Sequence, residues 1–326
     1  MDLRFLHVAN GTSTTDTIRK TGIPGATSIW ADPLHEGPVP GHLNDEQLLD
    51  VRARNLASPG SGVDLADTSA ELRRWRQVID DRAAYDELVL WYEHDLFDQL
   101  NLIQLLSRLG LAREQQHVSL ICIDRFPGHP RFKGLGELAP GELGSLFETR
   151  RPVTSAQYDV ATRAWDAFRA DTPLALGTLL GTDTSDLPFL AAALRRHLED
   201  YPWTRDGLSR TERRLMTLAQ HGPIDIWTAF PLMHEDETAF YIADSSLWQV
   251  ARELEAATPP LLSVPVTSTA RGSLPKGTIA LTDAGRSVLG GHADRVALCG
   301  IDRWLGGVHL VGTGPVWRYP MLNAEW

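Results

Sequence analysis

The sequence predicts an α/β protein: a doubly wound, mainly parallel sheet followed by a mostly helical domain with a winged-helix-like portion. Two observations predict this class. Four short apolar runs begin at Phe5, Ala26, Leu88 and Val118, and each ends on a polar cluster. Helical patterns separate these runs in the order typical of β-α-β units, whereas the chain after about residue 150 is mostly helical in pattern.

The chain is long enough for more than one domain. The pattern of predicted strands and helices divides its 326 residues into three segments. These are an α/β ligand-binding domain at 1–150, a helical connector at 151–206, and a winged-helix-like domain with a C-terminal tail at 207–326.

The predicted elements of the first domain follow the order strand, helix, strand, long connecting segment, strand, helix and strand. The hydroxyl-rich segment after the first strand predicts a short helix that ends at Gly22. The strongest helical spacing occurs at Leu96–Leu109, and Gly110 ends that helix. Between these elements the sequence predicts a Pro- and Gly-rich loop at 33–41 and helices at 44–57 and 70–84.

The second half has the outline of three helices and a hairpin. Ser209 and Glu212 form a capping-box pattern, which predicts the start of a helix. Two strand-like segments flank a Gly- and Pro-containing turn at 271–275, as the wing of a winged helix would. Other helices are predicted at 155–170, 187–200, 224–234, 244–257 and from 282 onward.

Composition limits the partners that we expect. The net charge of −11 argues against a nucleic-acid partner, because phosphate neutralisation needs clustered Lys and Arg. The two cysteines, Cys122 and Cys299, fit neither a disulfide scaffold nor a zinc finger, which predicts a cytoplasmic protein. No segment resembles a signal peptide or a membrane span, so no membrane partner is expected. A protein partner or a second copy of the chain is left open.

The ends of the four apolar runs predict a binding site. The carboxyl ends of parallel strands lie along one edge of a sheet, where open α/β sheets bind their ligands. We therefore expect the regions of Asn10, Asp32, His94 and Asp124 to meet there. Each of these four residues closely follows one of the apolar runs.

The segment after the first strand predicts an anion site. Asn10, Gly11, Ser13 and Thr14 join a strand to a helix, whose N-terminal N–H groups carry partial positive charge. A phosphate or carboxylate would bind there. The alternative is an ordinary capped helix, which uses the same residues.

Asp32 and His94 are the predicted acid/base pair. Asp32 opens a rigid, proline-braced loop that also carries His35 and Glu36, which we predict to contact the ligand. Alternatively, Asp32 caps its own loop in an Asx turn. His94 at a strand end is suited to proton transfer, although a solvated or core histidine fits the same position. Because Asp32 has no helix to cap, Asp32→Asn is expected to leave stability nearly unchanged.

Further candidates surround this pair. Asp95 is a natural N-cap for the helix that begins at Leu96, and it is also a predicted ligand contact. Gln99 lies one turn later on the same helix face. His7, within an apolar strand, is expected to be a hydrogen-bonded core histidine. No nucleophile elbow supports a triad of Ser13, His94 and Asp32, and no spacing supports a metal site, so neither a metal nor any particular cofactor is predicted.

The second domain is expected to contact protein rather than DNA. Its predicted recognition helix, 245–255, carries one arginine and two glutamates, whereas a major-groove reader presents basic and amide side chains. The tail Asp302–His309 either completes the pocket of the first domain or packs on its own domain.

Several of these segments together resemble a bacterial family known as domain of unknown function eighteen thirty-five. Three motifs carry the resemblance over about residues 5–125: HVANGTSTTDTI, WADPLHEGPVP and LVLWYEHDLFDQLNLIQLL. The segment 190–310 resembles the companion domain that often follows it. The resemblance implies characteristic positions at His7, Asn10, Gly11, Ser13, Asp32, Leu34, Glu36, Gly37, Pro38, Trp91, His94, Asp95, Gln99 and Asn101. Thr12 departs from the Asp that members often carry, and the family carries no established activity to transfer.

The sequence thus predicts an enzyme, a hydrolase or transferase, that acts on a phosphorylated or nucleotide-like small molecule. The first alternative is a ligand-sensing module whose winged helix contacts a protein. The second alternative is a DNA-binding regulator, which the acidic composition disfavours.

Overall fold

The mixed α/β fold that the sequence predicts is present in the computed structural model, which describes residues 3–58, 62–111, 117–268 and 276–320. For residues 266–268 and 276 it describes the backbone alone. The chain forms two units by its contacts. The first contains residues up to Leu194 together with Gly306–Val308, and the second contains Arg195–Leu305 and the residues from His309 onward.

The first unit begins with strands and helices in alternation and ends in helices. Its strands are β1 (Phe5–Ala9), β2 (Ala26–Ile29), β3 (Gly37–Pro38), β4 (Glu87–Glu93), β5 (His117–Ile123) and β6 (Arg151–Pro152). Its helices are α1 (Thr12–Lys20), α2 (Asp45–Leu56), α3 (Leu65–Asp80), α4 (Leu96–Gly110), α5 (Pro140–Ser145), α6 (Ser155–Arg169) and α7 (Leu174–Leu180). Short 3-10 helices occupy Asp81–Ala84, Leu135–Glu137 and Phe147–Thr149.

Five strands of this unit form a mainly parallel sheet in the order β2-β1-β4-β5-β6. β1 pairs in parallel with β2 and β4, and β4 pairs in parallel with β5. The short edge strand β6 is antiparallel to β5. Every residue of β1 and β4 is buried, and these central strands are mainly apolar rather than alternating, with His7, Glu87 and Glu93 as the exceptions.

The core on one side of the sheet joins the strands to α1 and to the segment that follows β5. Phe5, Val89 and Trp91 from the strands pack in one cluster with Ile18 of α1 and Leu135. Their strand neighbours Leu88 and Leu90 project to the opposite side, since side chains alternate along a strand. Helix α4 contacts β4 and α6.

The second unit is described separately. The chain enters it within α8 (Leu190–Leu198). The following elements are α9 (Arg210–Leu218), β7 (Ile224–Asp225), α10 (Ile226–Met233), α11 (Asp244–Ala256), β8 (Leu262–Ser263), β9 (Val266–Ser268), β10 (Lys276–Leu281), α12 (Asp283–Leu289), α13 (Arg295–Cys299), β11 (Ile301–Gly306) and β12 (Val308–Gly312).

A small antiparallel sheet in this unit has β10 at its centre, paired with β7, β8 and β9. The capping box predicted at the start of α9 is confirmed. Ser209 Oγ accepts from the N–H of Glu212, and Glu212 Oε2 accepts from the N–H of Ser209. The predicted turn at 271–275 lies outside the described residues.

The division between the units differs from the predicted segments. The first unit continues to Leu194, so α6 and α7 belong to it and do not form a connector. The physical reason is that α6 packs against α4 of the sheet domain and α7 packs against α6. The helix predicted at 70–84 begins earlier, at Leu65. Asp64 caps it there by accepting from the N–H groups of Ala66 and Asp67.

Within the described ranges, no helix has the length and apolar character that crossing a lipid bilayer requires.

Candidate functional site

The carboxyl ends of four parallel strands lie at one edge of the sheet, as the sequence predicts. In the strand register Ala9 is level with Ile29 on one side and with Trp91 on the other, and Trp91 is level with Ile121. β2 follows β1 on one side, whereas β4 lies on its other side. The strand order therefore reverses between β1 and β4, which is where open α/β sheets form a ligand crevice.

Asn10 joins two carboxyl groups at this reversal point. Its Nδ2 donates to Glu93 Oε1 at 2.9 Å and to Asp98 Oδ2 at 3.1 Å. Its Oδ1 accepts from Thr14 Oγ1 at 2.9 Å, which fixes the orientation of the amide. A single side chain after β1 thus holds the end of β4 and the first turn of α4 together.

Both carboxyl groups are buried, and burial favours their protonated forms. Glu93 is 4% exposed and Asp98 is fully buried. Burial, together with the charge of Asp95, raises the pKa of Glu93 to about 8, against hydrogen bonds from Leu135 and Asn10 that lower it. Burial and the charge of Glu93 raise the pKa of Asp98 well above its usual range. The pair therefore retains a proton at neutral pH.

One oxygen of this pair has no partner among the described residues. Asp98 Oδ2 accepts from the N–H of Glu93 at 2.6 Å as well as from Asn10, but Asp98 Oδ1 is buried without a hydrogen bond. Buried polar atoms are nearly always paired, so this oxygen is a position that a proton can occupy.

The residues predicted to flank this site have defined structural roles. Asp95 is confirmed as the N-cap of α4, because its Oδ1 accepts from the N–H of Asp98 at 2.9 Å. Gln99 donates through Nε2 to the carbonyl of Glu93 at 2.6 Å and to Cys122 Sγ at 3.4 Å. Gln99 thus holds the end of β4 and Asp95 holds the first turn of α4, and from that position the charge of Asp95 raises the pKa of Glu93.

The segment after β5 closes over Glu93. The N–H of Leu135 donates to Glu93 Oε1 at 2.5 Å. A Cβ at Gly134 would clash with the Glu93 carboxylate, so the lack of a side chain there permits the close approach. Leu135 itself packs into the core cluster, which anchors this covering segment.

The start of α1 faces solvent on the other side of Asn10. Gly11 precedes the helix in an extended conformation, a Cβ there would meet open space, and no side chain caps the helix. Ser13 is exposed and donates weakly to the carbonyl of Gly136 at 3.4 Å. The uncapped first turn leaves N–H groups available to an anion.

His94 and Asp124 lie next along the edge. His94 is buried between the rings of Phe132 and Phe189, with centroid distances of 6.4 and 6.2 Å. Asp124 is partly exposed and pairs with Arg125, whose hydrogen bond lowers the pKa of Asp124, and the charge of His94 contributes to that shift. The predicted proton-transfer role of His94 remains a prediction.

The contacts of Asp32 favour a structural role over the predicted catalytic one. Arg52, 1% exposed, binds both oxygens of the Asp32 carboxylate at 2.6 to 3.1 Å. The same guanidinium donates to the carbonyls of Pro33 and Glu36, and Asn101 binds both backbone groups of Asp32. A carboxylate held this way anchors the loop, and this contact favours anchoring over proton transfer as the role of Asp32.

The two other residues of that loop stay near the loop itself. His35 Nε2 lies 3.3 Å from Glu36 Oε1, and the His35 ring contacts Phe97. Their contact with a ligand stays a prediction.

His7 is a core histidine, as the sequence predicts. Trp91 Nε1 donates to His7 Nδ1 at 3.2 Å, which leaves the proton on Nε2 to donate to the carbonyl of Pro24 at 3.2 Å. Burial lowers the pKa of His7, so the ring is neutral and both nitrogens are engaged.

Two further expectations concern a metal and the C-terminal tail. In the described part of the chain no three His, Cys, Asp or Glu residues converge in a way that could hold a metal ion. The tail residues Gly306 and Gly307 bond through their backbones to Val39 and Phe168 in the first unit. These two glycines make no hydrogen bond to the carboxyl pair.

Sequence reasoning missed Glu93, Asp98 and Arg52. Glu93 was visible as the last residue of an apolar run, and a carboxylate in that position is a usable signal. Asp98 was hidden inside an amphipathic helix, and Arg52 lies 20 residues from the carboxylate that it binds.

A scan against models of protein families found no match, and a search of curated proteins found no significant match either. The resemblance to the family described above therefore remains a prediction.

Proposed function

We propose that the first unit is an enzyme that binds a small anionic molecule in the crevice between β1 and β4 and transfers a proton through the Glu93–Asp98 pair. One observation carries the proposal: the amide of Asn10 joins two buried carboxyl groups where the strand order reverses. We retain the substrate class that the sequence predicts, a phosphorylated or nucleotide-like compound.

The chemistry follows from the protonation state of the pair. A carboxyl group with a pKa of about 8 is protonated at neutral pH and can donate its proton to a leaving group. Once deprotonated, the same group can accept a proton from water or an acceptor hydroxyl. Hydrolysis and group transfer both need this exchange, so the pair suits the predicted hydrolase or transferase class.

The anionic part of the substrate would bind at the start of α1. The uncapped N–H groups near Gly11 and Ser13 offer donors and partial positive charge. A neutral, protonated pair next to this position does not repel an anion, whereas two carboxylates would.

A ligand screen tests this proposal. Nucleotides and phosphosugars are added to the full chain, and the melting temperature is measured. A ligand at 100 times its Kd should stabilise the protein by about 2.7 kcal/mol. Glu93→Gln and Asn10→Ala should lose most of this response. Asp86→Asn, at the opposite edge of the sheet, is the matched control and should keep it.

The result would count against the proposal in either of two cases. In one, no phosphorylated compound stabilises the wild-type protein. In the other, a stabilising compound acts equally on the wild type and on both crevice variants, which would place its site elsewhere.

A second proposal concerns the second unit. We propose that α9, α10, α11 and the strands around β10 form a winged-helix-like portion that contacts protein. The order of helices and antiparallel strands supports this outline. α11, the helix in the recognition position, carries one arginine, Arg252, and two glutamates, Glu253 and Glu255, and Arg252 pairs with Glu255.

The free thiols of Cys122 and Cys299 support our proposal of a cytoplasmic location.

The charge of this portion predicts that it does not bind duplex DNA. Residues 207–291 contain 7 basic and 9 acidic side chains. Without clustered cations no counterions are released, so we expect no salt-sensitive affinity at physiological ionic strength. Fluorescence anisotropy with a labelled duplex checks this. Sub-micromolar binding that weakens steeply with salt would contradict it and would favour the DNA-binding alternative.

A further inference from the structure

The two carboxyl groups of the Glu93–Asp98 pair differ in what surrounds their oxygens. Asp98 is fully buried, whereas Glu93 is 4% exposed. Asp98 Oδ2 accepts from the backbone N–H of Glu93 at 2.6 Å and from Asn10 Nδ2 at 3.1 Å. Asp98 Oδ1 is also buried, but no hydrogen bond reaches it from the part of the chain that the structure describes. One oxygen therefore has two donors and the other has none.

This asymmetry is the pattern of a protonated carboxyl group. The oxygen with two N–H donors takes the role of the carbonyl oxygen, and the other oxygen carries the proton. If Asp98 were ionised, part of its negative charge would lie on Oδ1 without any donor, which costs more than burying a neutral hydroxyl group. The buried carboxylate of Asp32 shows the contrast, because the guanidinium of Arg52 supplies it with both a charge and donors.

The charges around the pair favour the same state. Titratable groups face the pair from the elements packed against it: Tyr92 on β4, Asp95 at the start of α4, Cys122 on β5 and Glu137 in the covering segment. Burial raises the pKa of Tyr92 and of the Cys122 thiol, so both groups are neutral. The other two act on the pair as negative charges, which oppose the ionisation of a buried carboxyl group.

We propose that Asp98 keeps its proton throughout the range in which Glu93 titrates, so that Asp98 is a positioning residue and Glu93 alone exchanges a proton. Neutral Asp98 holds the end of β4 and the amide of Asn10 in place. In the proposed function, on which this part rests, the O–H bond of Glu93 breaks and the proton passes to the leaving group. The carboxylate that remains accepts from Asn10 and from the N–H of Leu135, and it later regains a proton from the attacking water or hydroxyl group. The crevice then carries one negative charge, rather than two, beside an anionic substrate.

Infrared spectroscopy of the full chain detects the proton on Asp98 directly. The C=O stretch of a protonated carboxyl group is separate from the bands of carboxylates and amides. In Glu93→Gln at about pH 9, where ordinary carboxyl groups are ionised, Asp98 should contribute one such band. Adding Asp98→Asn should remove the band. Its absence from Glu93→Gln would show that Asp98 is ionised and would overturn the proposal.

A comparison of two Asp→Asn variants tests the same point through Glu93. Asp98→Asn removes no charge if Asp98 is neutral, so the midpoint of the Glu93 titration should stay within about 0.5 pH unit of its wild-type value. Asp95→Asn is the matched control. It keeps a capping side chain but removes a charge that raises the pKa of Glu93, so it should lower the midpoint. NMR of isotope-labelled carboxyl groups measures the midpoint, and Glu93→Gln assigns the signal.

A third variant separates positioning from simple burial. Asp98→Asn keeps an oxygen for both N–H donors, whereas Asp98→Ala removes it and should therefore melt at a lower temperature. The proposal is overturned if Asp98→Asn lowers the Glu93 midpoint as far as Asp95→Asn does, or if the two variants at position 98 melt alike. None of these measurements uses a ligand, so a ligand screen without a hit would remove the proposed reaction but not the protonated state of Asp98.

Discussion

Replacing Arg52 with methionine is expected to destabilise the protein by about 3–5 kcal/mol, because it leaves the Asp32 carboxylate buried without its partner. Arg52 also satisfies the carbonyls of Pro33 and Glu36, so the whole loop after β2 loses its anchor. Asp32→Asn should be destabilising as well, since it leaves the guanidinium charge uncompensated. Urea denaturation followed by circular dichroism measures both effects.

This expectation reverses the one drawn from the sequence, in which Asp32→Asn was nearly neutral. The double variant Asp32→Asn with Arg52→Met should lose less stability than the sum of the two single variants, because neither charge is then left alone. The exposed pair of Arg4 and Asp86 is the control, and Arg4→Met should change stability far less than either buried variant, because solvent screens an exposed ion pair. A loss below about 1 kcal/mol for Asp32→Asn would contradict the anchoring role and reopen its role as a base.

The Glu93–Asp98 pair is expected to make the protein less stable as the pH rises. The pKa of Glu93 is about 8 in the folded state and near 4.5 in the unfolded state. Between these values the folded state holds a proton that the unfolded state has lost. The stability is therefore fully present below pH 4.5 and is lost as the pH rises through 8, by up to about 1.4 kcal/mol per pH unit.

The measurement is the difference between wild type and Glu93→Gln in urea titrations from pH 5 to pH 9. Glutamine is neutral at every pH and keeps an oxygen that accepts from Asn10 and Leu135. The stability of the variant should therefore not fall with pH in this way, and it should exceed that of the wild type at high pH. Asp86→Asn serves as a control, because the contribution of Asp86 to stability depends on pH in the opposite direction. A bond from the N–H of Arg4 lowers the pKa of Asp86, so its contribution is lost only as the pH falls. Parallel pH profiles for wild type and Glu93→Gln would show that Glu93 is ionised in the folded state and would remove the proposed proton donor.

The two carboxylates Asp32 and Asp95 illustrate what local sequence can establish. Asp95 precedes a helix, and its capping role follows from that position alone, since N-caps accept from N–H groups only two or three residues away. Asp32 also follows an apolar strand and looks the same locally. Its partner Arg52 lies one helix further along, and no propensity or periodicity links the two positions.

The sequence by itself determined the parallel strands, the edge where their ends meet, the caps at Asp95 and Ser209, and the buried position of His7. These features depend on apolar periodicity and on hydrogen bonds between near neighbours, which the residue order encodes directly. Only the tertiary structure decided which carboxyl groups are paired and which are anchored. Asn10 reaches Glu93 and Asp98 across 83 and 88 residues, and that contact exists because β1 and β4 are neighbours in the sheet. Burial of the pair, and therefore its raised pKa, is a property of that packing and of Gly134 and Leu135, which cover it.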